Sequence, residues 1–432
     1  MTDRNERIET AGEIPAHRGR LKYLAAGLLI MLCIGNVYAW SVFAKPLQAE
    51  GWSPAATTLP FQLSIVIFAA GMIFAGRIQD KIGPKPVAVF SGISMGIGFV
   101  LLRFFGQTPA GMIICFSLIA GAGMGAGYVT PLATALKWYP DKRGLISGLV
   151  VMGMGSGSIF GGMGGPLLIE RIGVWNTFAV FGIAFGAIIT ASGFVLKNPP
   201  EGYRVIVPGA IVKEGKKPAG KNRNIATVYD YPAREMLSTL PFYLIWLVFL
   251  IGTGGGLMII SQASPFGQNI VGLSPVAAGS VIMVIGIFNG LGRPSFGALS
   301  DRIGRRNAIF LAFGLQLIAL VFFLPYAGSY LVYAIGVSFI GFAYGGFLAM
   351  MPSITADYYG IKNVGLNYAL VYTGWGAAGY FGPQVASVLV GGSVERSDWN
   401  NAFYFIAAAC LAGMVLWFFT RQPAKSRGDV PG

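Results

Sequence analysis

The sequence predicts an all-α polytopic membrane protein with twelve transmembrane helices divided six and six. Three observations predict it. Only 11% of the 432 residues are charged and 54% are hydrophobic, whereas soluble domains carry roughly a quarter charged residues. Apolar runs long enough to cross a bilayer recur along the whole chain, six on each side of a polar interval. A charged glycine turn also occurs twice, at corresponding places in the two halves.

The first six runs fall at about 22–47, 55–78, 86–105, 109–138, 144–170 and 174–196. The second six fall at about 239–269, 276–300, 306–325, 328–357, 364–392 and 399–420. The first run is too long for a signal-peptide core and has no convincing cleavage site, so a retained span is expected. An even count puts both chain ends on one side. Of the 31 Lys and Arg residues, 26 are assigned to that side; the other has Lys45, Arg171 and Arg396, with Arg103 near its edge. The positive-inside rule then makes both termini cytoplasmic, and the cell membrane is the expected location. This bias also accounts for most of the net charge of +14, so a nucleic-acid partner has little left to explain.

The expected organisation is a cytoplasmic tail (1–21), a first six-helix unit (22–196), a cytoplasmic loop (197–238), a second unit (239–420) and a tail (421–432). Within the loop, the Lys/Gly-rich stretch 212–224 reads as a flexible linker. Cys33, Cys115 and Cys410 each stand alone in an apolar run, and the single histidine, His17, is in the polar tail. No disulfide framework, metal site or cofactor is therefore expected. The glycine clusters at 121–127, 153–165 and 252–256 lack the strand, lysine and helix of a nucleotide loop. They suit helices that approach closely in a membrane.

Gly76-Arg-Ile-Gln-Asp80-Lys-Ile-Gly83-Pro-Lys85 follows the second run, and Gly297-Ala-Leu-Ser-Asp301-Arg-Ile-Gly304-Arg-Arg306 follows the eighth. A carboxylate and several bases at a tight turn can latch one conformation by charge pairing, so Asp80, Lys81, Asp301, Arg302 and Arg305 are candidate gating-loop residues. Together with the twelve-run layout, this motif resembles the loop motif of the major facilitator superfamily. The resemblance implies two six-helix bundles rocking about a midplane site; a functional monomer is expected.

Further stretches resemble that superfamily's monocarboxylate transporter and oxalate/formate antiporter branch. They are Gly35-Asn36-Val-Tyr38-Ala-Trp40 in the first run and Gly121 through Tyr128 to Pro131 in the fourth. Trp138-Tyr-Pro-Asp-Lys142-Arg143 at the entry to the fifth and Gly365-Leu-Asn-Tyr368-Ala-Leu-Val-Tyr372-Thr-Gly-Trp375 in the eleventh complete the set. The resemblance implies a carrier of small monocarboxylates such as lactate or pyruvate, coupled to protons.

Arg293 is the candidate anchor for such an anion. It precedes Asp301 by eight residues, about 12 Å of helix, which brings it near the midplane of a bilayer core ~30 Å thick. A cation there is costly and normally functional. No Asp or Glu is deep in any run; Glu50, Glu170 and Asp357 fall near ends. The bland alternative is a structural arginine tied to helix carbonyls. Asn289 shares its helix face at i−4, and a guanidinium fork suits a carboxylate. Tyr38, Tyr128, Tyr344 and Tyr372 are in spans and could donate to the substrate, with Asn36 as a further candidate. For each phenol, interior packing stays open.

Two departures from the branch bear on the substrate. The oxalate carriers have a lysine in the eleventh helix where this chain has Trp375, so Arg293 faces a monocarboxylate one to one; a dicarboxylate would leave a buried charge unpaired. Trp375 would also give the cavity an apolar wall. Animal monocarboxylate carriers have an aspartate one turn before the arginine, where this chain has Asn289. Co-entry of a proton with the substrate and anion exchange both stay open. A carboxylate sensor that does not transport is a further alternative. No nucleophile–base pair or cofactor motif points to an enzyme.

Overall fold

A computed structural model describes residues 19–200, 203, 229–390 and 393–423. His17 and most of both tails and of the polar loop, its Lys/Gly-rich stretch included, lie outside the described residues. In the first half the long helices are α1 (21–49, bent through a 3-10 turn at Gly35–Ala39), α2 (Pro54–Ile82), α3 (Pro84–Phe105), α4 (Pro109–Trp138), α5 (143–172) and α6 (174–195). The second half has α7 (Leu240–Asn269), α8 (Pro275–Ile303), α9 (Arg305–Phe323), α10 (Tyr330–Tyr359), α11 (Val364–Val390) and α12 (Arg396–Phe419). Each overlaps one of the apolar runs. Helices α5 and α6 are separated only at Gly173, whose φ of +78° breaks the helix.

The two halves share a register. An offset of 221 residues relates Pro54 to Pro275, Gly76 to Gly297, Asp80 to Asp301, Gly83 to Gly304 and Gly144 to Gly365. Local chemistry follows that offset. Ser53 and Ser274 each cap their helix by accepting from the backbone N–H three residues on, ahead of a proline at the first helical position. Gly83 and Gly304 both end their helices at φ +92°, where any side chain would be strained. The second-helix and eighth-helix segments are thus the same structural word used twice.

In the first bundle α3 packs on α6, α1 on α5 and α2 on α4; in the second, α8 packs on α10, α7 on α11 and α9 on α12. Large apolar side chains such as Phe74, Ile183 and Leu331 are exposed on the periphery, as expected for surfaces that meet lipid rather than water. The bundles touch chiefly through two crossed pairs, α2 with α11 and α5 with α8. Glycine makes this possible. A Cβ on Gly76 would stand 2.6 Å from the Gly365 carbonyl oxygen, and one on Gly297 would overlap that of Gly144.

These contacts are one-sided. They lie at the face that carries both ends of the described chain, where Arg20 meets Asp141 and Tyr231 meets Pro423. Beyond Arg293 the same helix faces continue through Gly286 and Gly290 of α8, Gly162 of α5, and Gly376 and Gly379 of α11. None of these has a neighbour within 4 Å of a Cβ position among the described residues. Among the described residues the bundles meet at the terminal face, and these positions on the facing helices are open at the other.

Candidate functional site

Arg293 is only 2% exposed, on α8 where the bundles begin to part. Its Nη1 donates to the backbone carbonyl of Val151 on α5, 2.5 Å away across the bundle interface. Its Nε donates to Oδ1 of Asn289 at 3.2 Å, the contact their i, i+4 spacing predicts. Room for the guanidinium comes from glycine: a Cβ on Gly155 would stand 2.8 Å from Nη1, and one on Gly148 would overlap the Arg293 carbonyl oxygen. Among the described residues no carboxylate pairs with Arg293. The guanidinium is therefore without a counter-ion but hydrogen-bonded, which the sequence reading did not distinguish. Its acceptor is a backbone oxygen of the other bundle.

An aromatic wall continues from it. Trp375 of α11 donates its indole N–H to the Tyr344 hydroxyl of α10 at 2.8 Å, which leaves the phenolic proton free to point elsewhere. Tyr372 packs at a tilt against Trp375 and Tyr128, with ring centroids 5.0 Å apart in each case. The hydroxyls of Tyr128 and Tyr368 are 3.5 Å apart. The phenols of Tyr128, Tyr344 and Tyr368 all lie within electrostatic reach of Arg293. The structure thus brings together Arg293, Asn289, Tyr344, Trp375, Tyr372 and Tyr128.

Asn36 is not in this set through any described contact. It is buried against Gly161 of its own bundle, and its Oδ1 has no hydrogen-bond partner among the described residues. The Tyr38 side chain lies outside the described residues. Tyr368 and Phe68, whose ring is 5.5 Å from that of Tyr128, belong to the wall and were not singled out from sequence. The 4-residue spacing of Tyr368 and Tyr372 was the available signal for the first.

The internal repeat makes the site's asymmetry visible. At the 221-residue offset, Arg293 and Asn289 correspond to Met72 and Phe68, and Val151 corresponds to Tyr372. The first bundle presents an apolar and aromatic face where the second presents a cation.

The two repeated loops meet the opposite bundle at the terminal face through a matched pair of contacts. Asp301 accepts from the backbone N–H of Gly144 and of Leu145, both at 2.9 Å, at the start of α5. Asp80 accepts from Leu366 N–H at 2.9 Å, at the start of α11. Each carboxylate caps a helix of the opposite bundle, where the helix dipole favours negative charge. Arg305 bridges Asp301 (2.7 Å) and Asp357 (2.9 Å), and Asp357 also binds Arg143 at 2.7 Å. The base beside Asp80 is Lys137 of α4 at 3.3 Å. Lys81 and Arg302 are exposed and pair with no acid among the described residues. In a helix the residue next to the carboxylate points away from it, which is why neither base meets Asp80 or Asp301 in this conformation.

The family model described as Major Facilitator Superfamily matches residues 25–345 and 297–432. The chain is similar to the oxalate:formate antiporter of Oxalobacter formigenes, 29% identical over 406 residues that cover 92% of this chain and 90% of that protein. It is similar also to apicoplast pyruvate carrier 1 of Toxoplasma gondii, 24% identical, covering 84% of this chain and 80% of that one. Among solved structures, the proton:xylose symporter XylE aligns with a TM-score of 0.66 at 12% identity, over 94% of this chain and 96% of that one. FucP in the outward conformation aligns with a TM-score of 0.64 at 14% identity, over 93% and 100%. At such identities these structures speak to the fold alone. With the family model matched over nearly the whole length and the twelve helices in its two-bundle order, the chain belongs to the major facilitator superfamily and is a multi-pass membrane transporter, not an enzyme.

Proposed function

We propose that the chain carries small monocarboxylates of the lactate and pyruvate class across the cell membrane by alternating access, as a monomer with both termini cytoplasmic. One observation carries this reading: a buried guanidinium with no carboxylate partner among the described residues, set between the bundles beside phenols and an indole. An anion entering from the parted side meets Arg293, whose fork offers two charge-assisted hydrogen bonds. Tyr344, already accepting from Trp375, has its own proton to donate. Asn289 holds the guanidinium from behind through Nε. The apolar wall around Trp375 and Tyr372 receives the short alkyl group. The pair is neutral, so occluding it avoids the penalty of a lone buried charge.

Binding also acts on the conformation. The substrate carboxylate competes with the Val151 carbonyl for Arg293, so occupancy weakens one of the contacts that joins the bundles below the site. The units 22–196 and 239–420 then rock, with 197–238 as the connection and the Asp80 and Asp301 caps as the latch that must release. Symport leaves the proton's carrier away from this pair, since neither Asn289 nor any described neighbour supplies a titratable carboxylate beside Arg293.

A second reading, obligatory exchange, draws on the same observation and on the antiporter relative. An empty carrier must occlude an uncompensated cation, which slows return without a substrate. Labelled L-lactate uptake into proteoliposomes tests both. Uptake driven by an inward proton gradient into empty vesicles supports symport, and uptake only into lactate-loaded vesicles supports exchange. Arg293→Ala is expected to abolish both while remaining folded; near-normal uptake by that variant contradicts the site assignment.

A further inference from the structure

The first bundle carries two cavities that meet on its lipid-facing side, on helices remote from Arg293; among the described residues α3 packs on helices of its own bundle. One is a groove of 690 Å3 between α3 and α6. Its floor is made by glycines packed backbone to backbone: a Cβ on Gly96 would stand 3.2 Å from Gly186 Cα. Its rims are apolar, including Ile93, Ile97 and Ile183, and Thr190 is the only polar side chain in the lining. At its terminal-face end the groove reaches Phe194, which also lines the second cavity.

That second cavity is a 760 Å3 cleft lined by Lys22, Lys85, Lys197 and the Gly83 turn, with no acidic side chain among the described residues. The three lysines come from three separate segments: the start of α1, the start of α3 and the end of α6. None has an ion-pair partner among the described residues. Lys85 Nζ lies 5.0 Å from the centroid of the Phe194 ring, at the junction of the two cavities. From Pro84 to Leu101, cleft and groove together follow α3 for ~25 Å at about 1.5 Å per residue. That is close to the depth of one leaflet including its headgroups, given ~40–45 Å for the whole bilayer.

We propose that this is a binding site for an anionic phospholipid, with one acyl chain in the α3/α6 groove and the phosphate on Lys22, Lys85 and Lys197. Charge and shape select the same ligand. A free anion would use the cleft and leave the groove empty; a zwitterionic lipid would fill the groove but bring its own cation to a cleft that already holds three ammonium groups. Only a molecule with an anionic head and a long apolar tail satisfies both. The site belongs to the membrane surface of the bundle and does not depend on what the transporter carries.

The test uses the full-length protein in detergent with phosphatidylglycerol and phosphatidylcholine of identical acyl chains, with retained lipid counted by native mass spectrometry. Each lysine near an anionic headgroup is worth roughly fivefold in affinity. The triple variant Lys22→Gln, Lys85→Gln, Lys197→Gln should therefore lose the preference for phosphatidylglycerol by on the order of 100-fold. Ala187→Trp, which fills the groove, should lower retention of both lipids. Lys362→Gln, an exposed lysine of the other bundle, should change neither. The proposal is overturned if the triple variant keeps the wild-type preference, if Lys362→Gln weakens it equally, or if Ala187→Trp retains lipid as the wild type does.

Discussion

Removing the Asp301 carboxylate should open the terminal face without unfolding the protein. In the closed conformation Asp301 accepts from two backbone N–H groups of the opposite bundle, at 2.9 Å each, and pairs with Arg305. Hydrogen bonds to a charged group contribute about 1.5–3 kcal/mol each. Arg305 keeps its bond to Asp357, so its charge is not stranded, and the Asp80 cap and the Arg143–Asp357 pair remain. The net loss specific to the closed state is then ~3 kcal/mol, which shifts the closed-to-open ratio by on the order of 10²-fold. Lys81→Cys and Lys362→Cys place spin labels on exposed sites of opposite bundles at this face, and the three native cysteines are buried. Pulsed electron resonance should show one short distance in the labelled parent and a dominant longer distance after Asp301→Ala. An unchanged distribution would refute the latch, because the carboxylate would then contribute nothing that the open state lacks.

Two further substitutions probe the pocket. Trp375→Lys supplies a second cation beside the aromatic wall, so binding of oxalate should appear or rise at least tenfold relative to lactate in competition assays; an unchanged ratio contradicts the charge-matching account. Asn289→Asp puts a carboxylate where an amide oxygen now contacts Arg293 Nε at 3.2 Å. It should occupy the guanidinium and raise the KM for lactate about 10–100-fold at neutral pH, the range of a charge-assisted contact. A KM within twofold of wild type would show that Arg293 is not the anion's partner.

The fold was largely legible because a bilayer imposes one dominant rule, a long apolar run for each crossing. The repeated turn located the second and eighth helices, and the constant offset then extends to caps, prolines and interface glycines. The targets of the two gating carboxylates were not legible. Asp80 reaches Leu366 and Asp301 reaches Gly144 and Leu145, and backbone amides so far away in sequence have no signature of their own. Which loop base meets the carboxylate was not legible for a related reason: the motif shows that bases are present but not which of them faces it.

At the site, the Arg293–Asn289 contact followed from helix geometry and the aromatic wall from family resemblance. The Val151 carbonyl could not be foreseen, since every residue has one. Tyr368 was passed over although it sits one turn from Tyr372, because within an apolar span a ring that packs and a ring that meets a ligand look alike. Asn36 shows the converse. Its polarity marked it out, yet the structure buries it against Gly161, and its Oδ1 has no hydrogen-bond partner among the described residues.

The central claim is that Arg293 holds the substrate's carboxylate, and equilibrium binding of labelled L-lactate to purified protein tests it most directly. Arg293→Ala should weaken binding by at least on the order of 10²-fold, the value of a charge-assisted pair. Arg293→Lys, which keeps the charge but not the planar fork, should recover only part of it. Wild-type affinity in Arg293→Ala, in a variant that remains monodisperse and folded, would contradict the account.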